Sequence, residues 1–440
     1  MTGKRILIDG YNLGMATGTG IATYARGLAA TATCLGHEVD LLYGPATLAI
    51  NEKRRTNASA RAPAQPWSRV PIALWRGLRQ ISRLGRSVRV EEIPSNAVGV
   101  LGLLTQAPPP HDRLYAAPSL FEVAHIYYWA TGRFLEITAP TKPDIVHWTY
   151  TLPMRVLGAK NVYTIHDLVP FILPGAVRMN RGRFHALTKQ IVREADHIVT
   201  VSEHSRQDII RLFDAPAERI TNTYQSVELP AEGVKRAIDD VRAEVERAYG
   251  LPFGEYFLYF GAIEPKKNVA RLIQAYLRSG IESPLVIVGK LAWDCAAEKK
   301  LLRDDLLRFP APGGSGPQAR RGLKHIDYMP RDSLVALIRG AKAVAFPSLY
   351  EGFGLPAIEA MLLGAPVLAS TGGSLPEVCG EAALLIGPHD VEALSAGLRR
   401  LDEDRGLRQS LSEKGRLQAA RFSQAAYADR LAQLYRSLLD

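Results

Sequence analysis

The residues best suited to chemistry lie in Pro347-Ser348-Leu349-Tyr350-Glu351-Gly352-Phe353-Gly354-Leu355-Pro356-Ala357-Ile358-Glu359-Ala360. This stretch follows a short apolar run and opens a helix over 355–363, so it reads as a strand-to-helix turn. Gly352 and Gly354 let the backbone approach a ligand closely. The amides at the helix start, around Leu355, lack intrahelical acceptors, and the helix dipole favours an anion there; a diphosphate suits it. Glu351 lies in the loop, and Glu359 lies a turn or more inside the helix. Carboxylates so placed could hold two different polyols, such as a donor sugar and a ribose. The alternative is a solvated pair beside a helix cap.

A second element, Gly261-Ala262-Ile263-Glu264-Pro265-Lys266-Lys267-Asn268, ends a strand over 256–260 and precedes a helix over 269–277. Lys266 and Lys267, at that edge, can neutralise a diphosphate. A third, Thr371-Gly372-Gly373-Ser374-Leu375-Pro376-Glu377-Val378, is a glycine turn leading into a helix start. His166 ends an apolar run over 161–166 and should face the cleft, available for binding or proton transfer. Asp167 beside it could bias its tautomer. His147 ends the preceding run, where a histidine also serves as a hydrogen-bonded core group.

These residues need a scaffold that brings loop ends together, and the pattern supplies one. A strand over 4–9, a loop with Gly10, Gly14, Gly18 and Gly20, a helix over 21–35 and a strand over 38–43 form a βαβ opening. From 45 to about 141 the periodicity is poor, and Pro108-Pro109-Pro110 must be loop. Apolar runs over 144–148, 161–166 and 196–201 read as buried parallel strands, whose carboxyl ends bind ligands in open α/β sheets. Residues 229–255 form a connection with one helix over 234–249. Alternation then restarts with strands over 256–260, 285–288, 343–346 and 366–369, and helices close the chain from 391. The fold class is α/β, with two Rossmann-like doubly wound domains, 1–228 and 229–420, and a helix in 421–440 packing back on the first.

The chain has 440 residues, too many for one ordinary core, and its 47% apolar and 22% charged composition is that of a globular protein. It has no apolar run of about 18 residues, which argues against a membrane span. The opening runs straight into a strand and lacks the pattern of a signal peptide. Cys34, Cys295 and Cys379 are far apart and show no metal-ligand spacing. Together these features predict a cytoplasmic protein. The net charge of +10 suggests an anionic partner, although arginine excess also accompanies GC-rich genomes. Residues 72–89 can be drawn as a helix with Leu74, Leu78, Ile81, Leu84 and Val88 on one face. Arg76, Arg79, Arg83 and Arg86 lie nearly opposite, with Trp67 and Trp75 flanking or joining the apolar side. Such a helix either lies on an anionic membrane surface or packs on the core with its arginines in solvent.

The glycine-rich opening, Thr164-Ile165-His166-Asp167-Leu168, Val201-Ser202-Glu203-His204-Ser205, the Glu-Pro-Lys-Lys-Asn turn and the Glu351-x7-Glu359 element occur in the order found in glycosyltransferase family 4. The chain resembles that family of retaining enzymes of GT-B fold along nearly its whole length. The Thr-Ile-His-Asp-Leu-Val-Pro stretch looks most like bacterial members that use GDP-mannose in surface polysaccharide synthesis, including lipopolysaccharide. The resemblance implies that Glu351 binds donor-sugar hydroxyls and that Phe353, Gly354 and Leu355 present backbone amides to the sugar and diphosphate. It implies that Glu359 holds the ribose and Lys267 the diphosphate, with Lys266 beside it. Gly18 and Gly20 would let the first loop approach the diphosphate or the acceptor. Many members carry arginine where this chain has Ala262 or Lys266. The family commonly works without bound metal or other cofactor. Asp239-Asp240 and Asp304-Asp305 sit in charged helical stretches and make no metal-binding Asp-x-Asp element.

The expected partners are a nucleotide sugar, a saccharide or polyprenyl-diphosphate-linked acceptor and an anionic membrane surface on the inner face of the cell membrane, and not nucleic acid. A UDP- or dTDP-sugar donor, a GT-B epimerase and a non-catalytic sugar-nucleotide binder are the alternatives. A phosphorylase would need a pyridoxal lysine late in the chain, and no such motif is seen. A nicotinamide dehydrogenase is disfavoured, because the opening glycines do not follow Gly-x-Gly-x-x-Gly and Asp40 stands alone at the next strand.

Overall fold

A run such as Phe257-Leu258-Tyr259-Phe260 offers no polar side to solvent, so it is stable only where both sheet faces are covered. The computed structural model describes residues 3–14, 20–44, 87–94, 107–175, 180–292, 295–303 and 322–440, and it meets that condition twice. In chain order the first unit contains β1 (Arg5–Asp9), α1 (Gly20–Cys34), β2 (Glu38–Tyr43), β3 (Ser87–Arg89), β4 (Glu91–Ile93), β5 (Arg113–Ala116), α2 (Leu120–Thr131) and β6 (Leu135–Thr138). It continues with β7 (Ile145–Trp148), β8 (Met154–Val156), β9 (Lys160–Thr164), α3 (Val169–Ile172), α4 (Arg181–Glu194), β10 (His197–Thr200), α5 (Glu203–Phe213) and β11 (Ile220–Asn222). The second unit contains α6 (Ala231–Lys235), α7 (Ile238–Tyr249), β12 (Phe257–Phe260), α8 (Val269–Ser279), β13 (Leu285–Val288), α9 (Ala296–Arg303), β14 (Leu323–Ile326) and α10 (Arg331–Gly340). It closes with β15 (Ala343–Phe346), α11 (Leu355–Leu362), β16 (Val367–Ser370), α12 (Leu375–Cys379), β17 (Ala383–Ile386), α13 (Val391–Glu403), α14 (Arg405–Ala420) and α15 (Gln424–Leu439).

Among the described residues the strands form three sheets, ordered β11-β10-β9-β7-β1-β2-β5-β4, β14-β13-β12-β15-β16-β17 and β3-β6-β8. All pair in parallel except β4, which runs antiparallel to β5 at one edge. The order of each large sheet reverses about its first strands, β1 with β7 and β12 with β15, and such switch points open ligand crevices at strand carboxyl ends. The chain passes from β11 to the second unit through 223–230, where the Val227 amide donates to Phe422 O at 3.0 Å. Helix α15 then returns and packs on α1. Its Tyr427, Leu431, Leu434 and Tyr435 are buried in a core shared with Tyr24, Ala25 and Leu28 of α1.

Some elements differ from the pattern-based expectation. The helix expected over 234–249 is two helices, α6 and α7, because Arg236 and Ala237 take extended backbone angles between them. Gly250, in the left-handed region at φ 63°, ends α7 and donates to Glu246 and Val245 carbonyls. The stretch of poor periodicity contains β5, α2 and β6. Helix α2 is apolar nearly all round, with Phe121, Val123, Ala124, Tyr127 and Tyr128 buried, so no single stripe betrays it. The helix drawn over 72–89 does not reach its end: Ser87–Arg89 is a strand paired with β6, and Val88 is core. The rest of that helix, with Trp67, Trp75 and the four arginines, lies outside the described residues, as does Asp304-Asp305. Among the described residues no helix is long and apolar enough to cross a membrane.

Candidate active site

Strand β15 delivers the chain to the carboxyl edge of the second sheet, and the three sequence elements on that edge close around Glu351. The backbone turn at 264–268 is tied to the β15–α11 loop, since Leu349 N donates to Lys266 O at 2.7 Å. Asn268 Nδ2 donates to Pro347 O at 2.8 Å and to Pro388 O at 2.7 Å. On the other side the glycine turn at 372–373 wraps the loop, and Ser374 N and Oγ both donate to Glu351 O, at 3.0 and 3.1 Å. Glu351 is buried, 8% exposed as a residue. Its Oε1 accepts from Lys267 Nζ at 2.7 Å and from Ser348 Oγ at 2.6 Å. Burial pushes its carboxyl up, but the charges of Lys267 and Lys266 with these hydrogen bonds bring it below the usual value. Lys266 Nζ lies 3.6 Å from Glu264 Oε1. Burial opposes its charge, and the carboxylates of Glu351, Asp167 and Glu264 more than offset this, so Lys266 is held as a firm cation.

Glu359 sits inside α11 and is 7% exposed, so neither glutamate is a solvated surface group. Its Oε1 accepts from the guanidinium of Arg331, the first residue of α10. Burial outweighs Arg331 and leaves the Glu359 carboxyl above its usual value. The two carboxylates therefore have separate cation partners. Gly354 precedes α11 at φ 99°, a conformation that side chains resist, and the first amides of the helix, which lack intrahelical acceptors, follow it. Phe353 packs its ring edge-on against Phe422, with centroids 5.2 Å apart.

The facing wall comes from the first unit. Gly20 starts α1, and a Cβ there would stand 3.4 Å from Leu355 Cδ1, so two helix amino ends meet across the cleft. Gly18 lies outside the described residues. A Cβ on Gly352 would lie 2.7 Å from His166 O and 2.9 Å from Asp167 Cβ, so this close approach requires glycine. His166 is not the end of β9; it lies two residues beyond, in the loop, half-buried and edge-on to Tyr24 at 4.9 Å. Its Nε2 lies 2.9 Å from Thr149 O. A carbonyl oxygen can accept only, so Nε2 carries the hydrogen and Nδ1 of the neutral ring is an acceptor. Burial lowers its pKa, against the opposing pull of Thr149 O and Asp167. Thr149 is in turn held by buried Asp9, whose carboxylate accepts from the Thr149 amide and which burial pushes up to about 6.

His147 does not face the cleft. It is the third residue of β7 and is fully buried, with Nδ1 2.8 Å from Tyr435 Oη and Nε2 2.9 Å from Thr164 Oγ1. Burial, with His166 and His197 nearby, lowers it to about 3, so it is a neutral core group joining the first sheet to α15. Sequence reasoning missed Arg331, Ser348, Asp9 and Thr149. Arg331 had one signal, an arginine opening a helix just after a proline in Met329-Pro330-Arg331. Asp239 and Asp240 lie in the first turn of α7.

The arrangement can hold a diphosphate between lysines and helix amino ends while its carboxylates address hydroxyls. Comparison with known proteins agrees with that chemistry. The glycosyltransferase family 4 model matches residues 97–229, and the model for glycosyl transferases group 1 matches residues 318–418. Over 282 residues the chain is 34% identical to O-antigen chain mannosyltransferase B of Escherichia coli, covering 62% of this chain and 69% of that protein. It is 30% identical over 300 residues to the serotype-specific mannosyltransferase WbdA of Escherichia coli, covering 64% of this chain and 35% of WbdA, and so spans about a third of the latter. The sucrose-phosphate synthase structure from Thermosynechococcus elongatus superposes with a TM-score of 0.65 at 20% identity, over 99% of both chains, which establishes the GT-B fold.

Proposed function

The chain belongs to glycosyltransferase family 4, and from that premise we propose that it transfers mannose from GDP-mannose, with retention at the anomeric carbon, to a saccharide acceptor carried on a polyprenyl diphosphate. The observation that carries the reading is the Lys267–Glu351–Ser348 cluster beside the amino end of α11, in which half-buried Lys267 meets buried Glu351 and Ser348. It joins a cation for a leaving diphosphate, from the turn at 264–268, to a carboxylate for sugar hydroxyls in the β15–α11 loop. The mannose assignment draws support from the two mannosyltransferase relatives, O-antigen chain mannosyltransferase B and WbdA.

In the proposed step the bond between C1 and the diphosphate oxygen breaks and the acceptor oxygen bonds C1 on the same face. The acceptor proton passes to the departing diphosphate. The transition state is oxocarbenium-like, as in glycoside hydrolysis. Negative charge grows on the β-phosphate, and Lys267, Lys266 and the amides at Phe353, Gly354 and Leu355 are suited to it. Glu351 orients the sugar, Glu359 the ribose, and His166 accepts a hydrogen bond at Nδ1 from a sugar or acceptor hydroxyl. Gly18 and Gly20 admit the diphosphate or the acceptor. No metal takes part in this proposal. The enzyme would work at the cytoplasmic face of the membrane, with the basic segment at 72–86 as its contact with anionic lipid. The test is release of nucleoside diphosphate from GDP-, UDP- and dTDP-sugars. GDP-mannose should be turned over fastest; preference for a UDP- or dTDP-sugar would overturn the donor assignment.

A further inference from the structure

Two sequence elements have no part in the chemistry above, Val201-Ser202-Glu203-His204-Ser205 and the Glu377 end of the glycine-turn element. They meet across the domain boundary. Helix α5 begins after Ser202, and its first amides need acceptors. Ser202 Oγ takes the Ser205 amide at 3.0 Å. The two preceding amides go to the other domain: Glu203 N donates to Glu377 Oε1 at 2.7 Å, and His204 N donates to Glu377 Oε2 at 2.9 Å. Glu203 could have served its own helix end, but its carboxylate is engaged by Arg206 Nη1 at 2.8 Å and Gln207 Nε2 at 2.6 Å. A carboxylate at a helix amino end gains both charge-assisted hydrogen bonds and the dipole.

Further contacts share that boundary. Tyr350 Oη donates to Asp208 Oδ2 at 2.7 Å, and Asp208 is 4% exposed. Ser205 Oγ donates to His166 O at 2.9 Å and stands 3.4 Å from Gly352 O. Tyr224, in the segment between the domains at φ 56°, also hydrogen-bonds Glu377; burial and that carboxylate push its hydroxyl up to about 12. We propose that Glu377 is a positioning residue that latches the cleft shut, capping α5 from the opposite domain so that His166 and Glu351 are held in register. Opening the cleft breaks both of its bonds to α5 and exposes the amides. The latch thus reaches the reacting groups through α5, Ser205 and the His166 carbonyl, without touching substrate.

The test uses the full chain and the variants Glu377→Ala, Glu377→Gln and Tyr350→Phe. Without substrate, Glu377→Ala should speed amide hydrogen exchange at Glu203 and His204 about tenfold or more and raise the radius of gyration in solution scattering, while exchange in α13 stays as in the wild type. Glu377→Gln keeps one acceptor oxygen and should fall between. With GDP-mannose, Glu377→Ala should lower kcat about tenfold with KM within about twofold, since only closure is impaired. The kinetic arm rests on the transferase reading and the exchange arm does not. An inert wild type towards GDP-mannose would therefore sink the donor assignment and leave the latch to the exchange result. Wild-type exchange and radius in Glu377→Ala would overturn the latch, as would unchanged kcat in a folded variant of an active enzyme. If Glu377→Ala does not fold, Glu377→Gln and Tyr350→Phe decide by the same readings.

Discussion

The two walls of the cleft are built on the same kind of sheet edge, yet their chemistry differs. The wall from the second domain is charged: Lys266, Lys267, Glu351, Glu359 and Arg331 are all ion-paired there. The facing wall offers Gly20, the Thr149 carbonyl, His166, an imidazole that burial keeps neutral, and the Asp167 carboxylate, whose charge acts on Lys266. A charged wall stabilises a leaving diphosphate, because preformed cations need no reorganisation when charge develops. A neutral imidazole acceptor suits hydroxyl groups, which carry little charge until they react. On the proposed reading the donor diphosphate lies against the second domain, and the first domain contributes the hydroxyl contact at His166.

The largest effect should follow removal of the central cation. Lys267→Ala should lower kcat/KM by about a hundredfold or more, and Lys266→Ala by less, in steady-state assays of diphosphate release. A Lys267→Ala enzyme within about a factor of two of wild type would end the charged-wall assignment. Next, the paired carboxylates should separate. Glu351→Ala should depress turnover far more than affinity for GDP, whereas Glu359→Ala should weaken GDP about tenfold in calorimetry, with Arg331→Ala in the same direction. Equal losses of GDP affinity in the two glutamate variants would contradict the division.

The facing wall should respond more mildly. His166→Gln should cost kcat about tenfold and should remove an acid limb from the pH profile. The folded pKa lies below the 6.5 of a free imidazole, so activity should hold at 6.5 and fall at lower pH as the ring protonates. His147 should alter stability and leave the chemistry alone. Its pKa drops from 6.5 to about 3 on folding, so the unfolded chain binds more protons in that window. Its contribution is complete above 6.5 and is lost as pH falls towards 3; denaturant unfolding of His147→Gln should show a shallower acid dependence than wild type. The smallest effect expected is none: excess chelator should leave the rate unchanged, and complete inhibition reversed by magnesium would place a metal in the charged wall.

Much of the charged wall was legible because its signals are local. Glu351, Gly352, Gly354 and Glu359 fall within nine residues of chain, and a strand-to-helix turn is written in its glycines and apolar runs. Buried parallel strands such as β12, β13 and β15 are unbroken apolar runs, so their existence could be read with little error. The edge strand β14, Leu-Lys-His-Ile, has no such run and was missed. Pairings were a different matter. Lys267 reaches Glu351 over 84 residues, Arg331 reaches Glu359 over 28, and Glu377 caps α5 over 174 and 173. His147 and His166 looked alike at strand ends, but one lies under α15 and the other lines the cleft. Residue type and spacing constrain backbone conformation within a few turns, because sterics and hydrogen bonding act between near neighbours. Which charges meet, and which histidine is sealed from water, depends on how two sheets and a returning helix pack, and that packing is set by long-range burial.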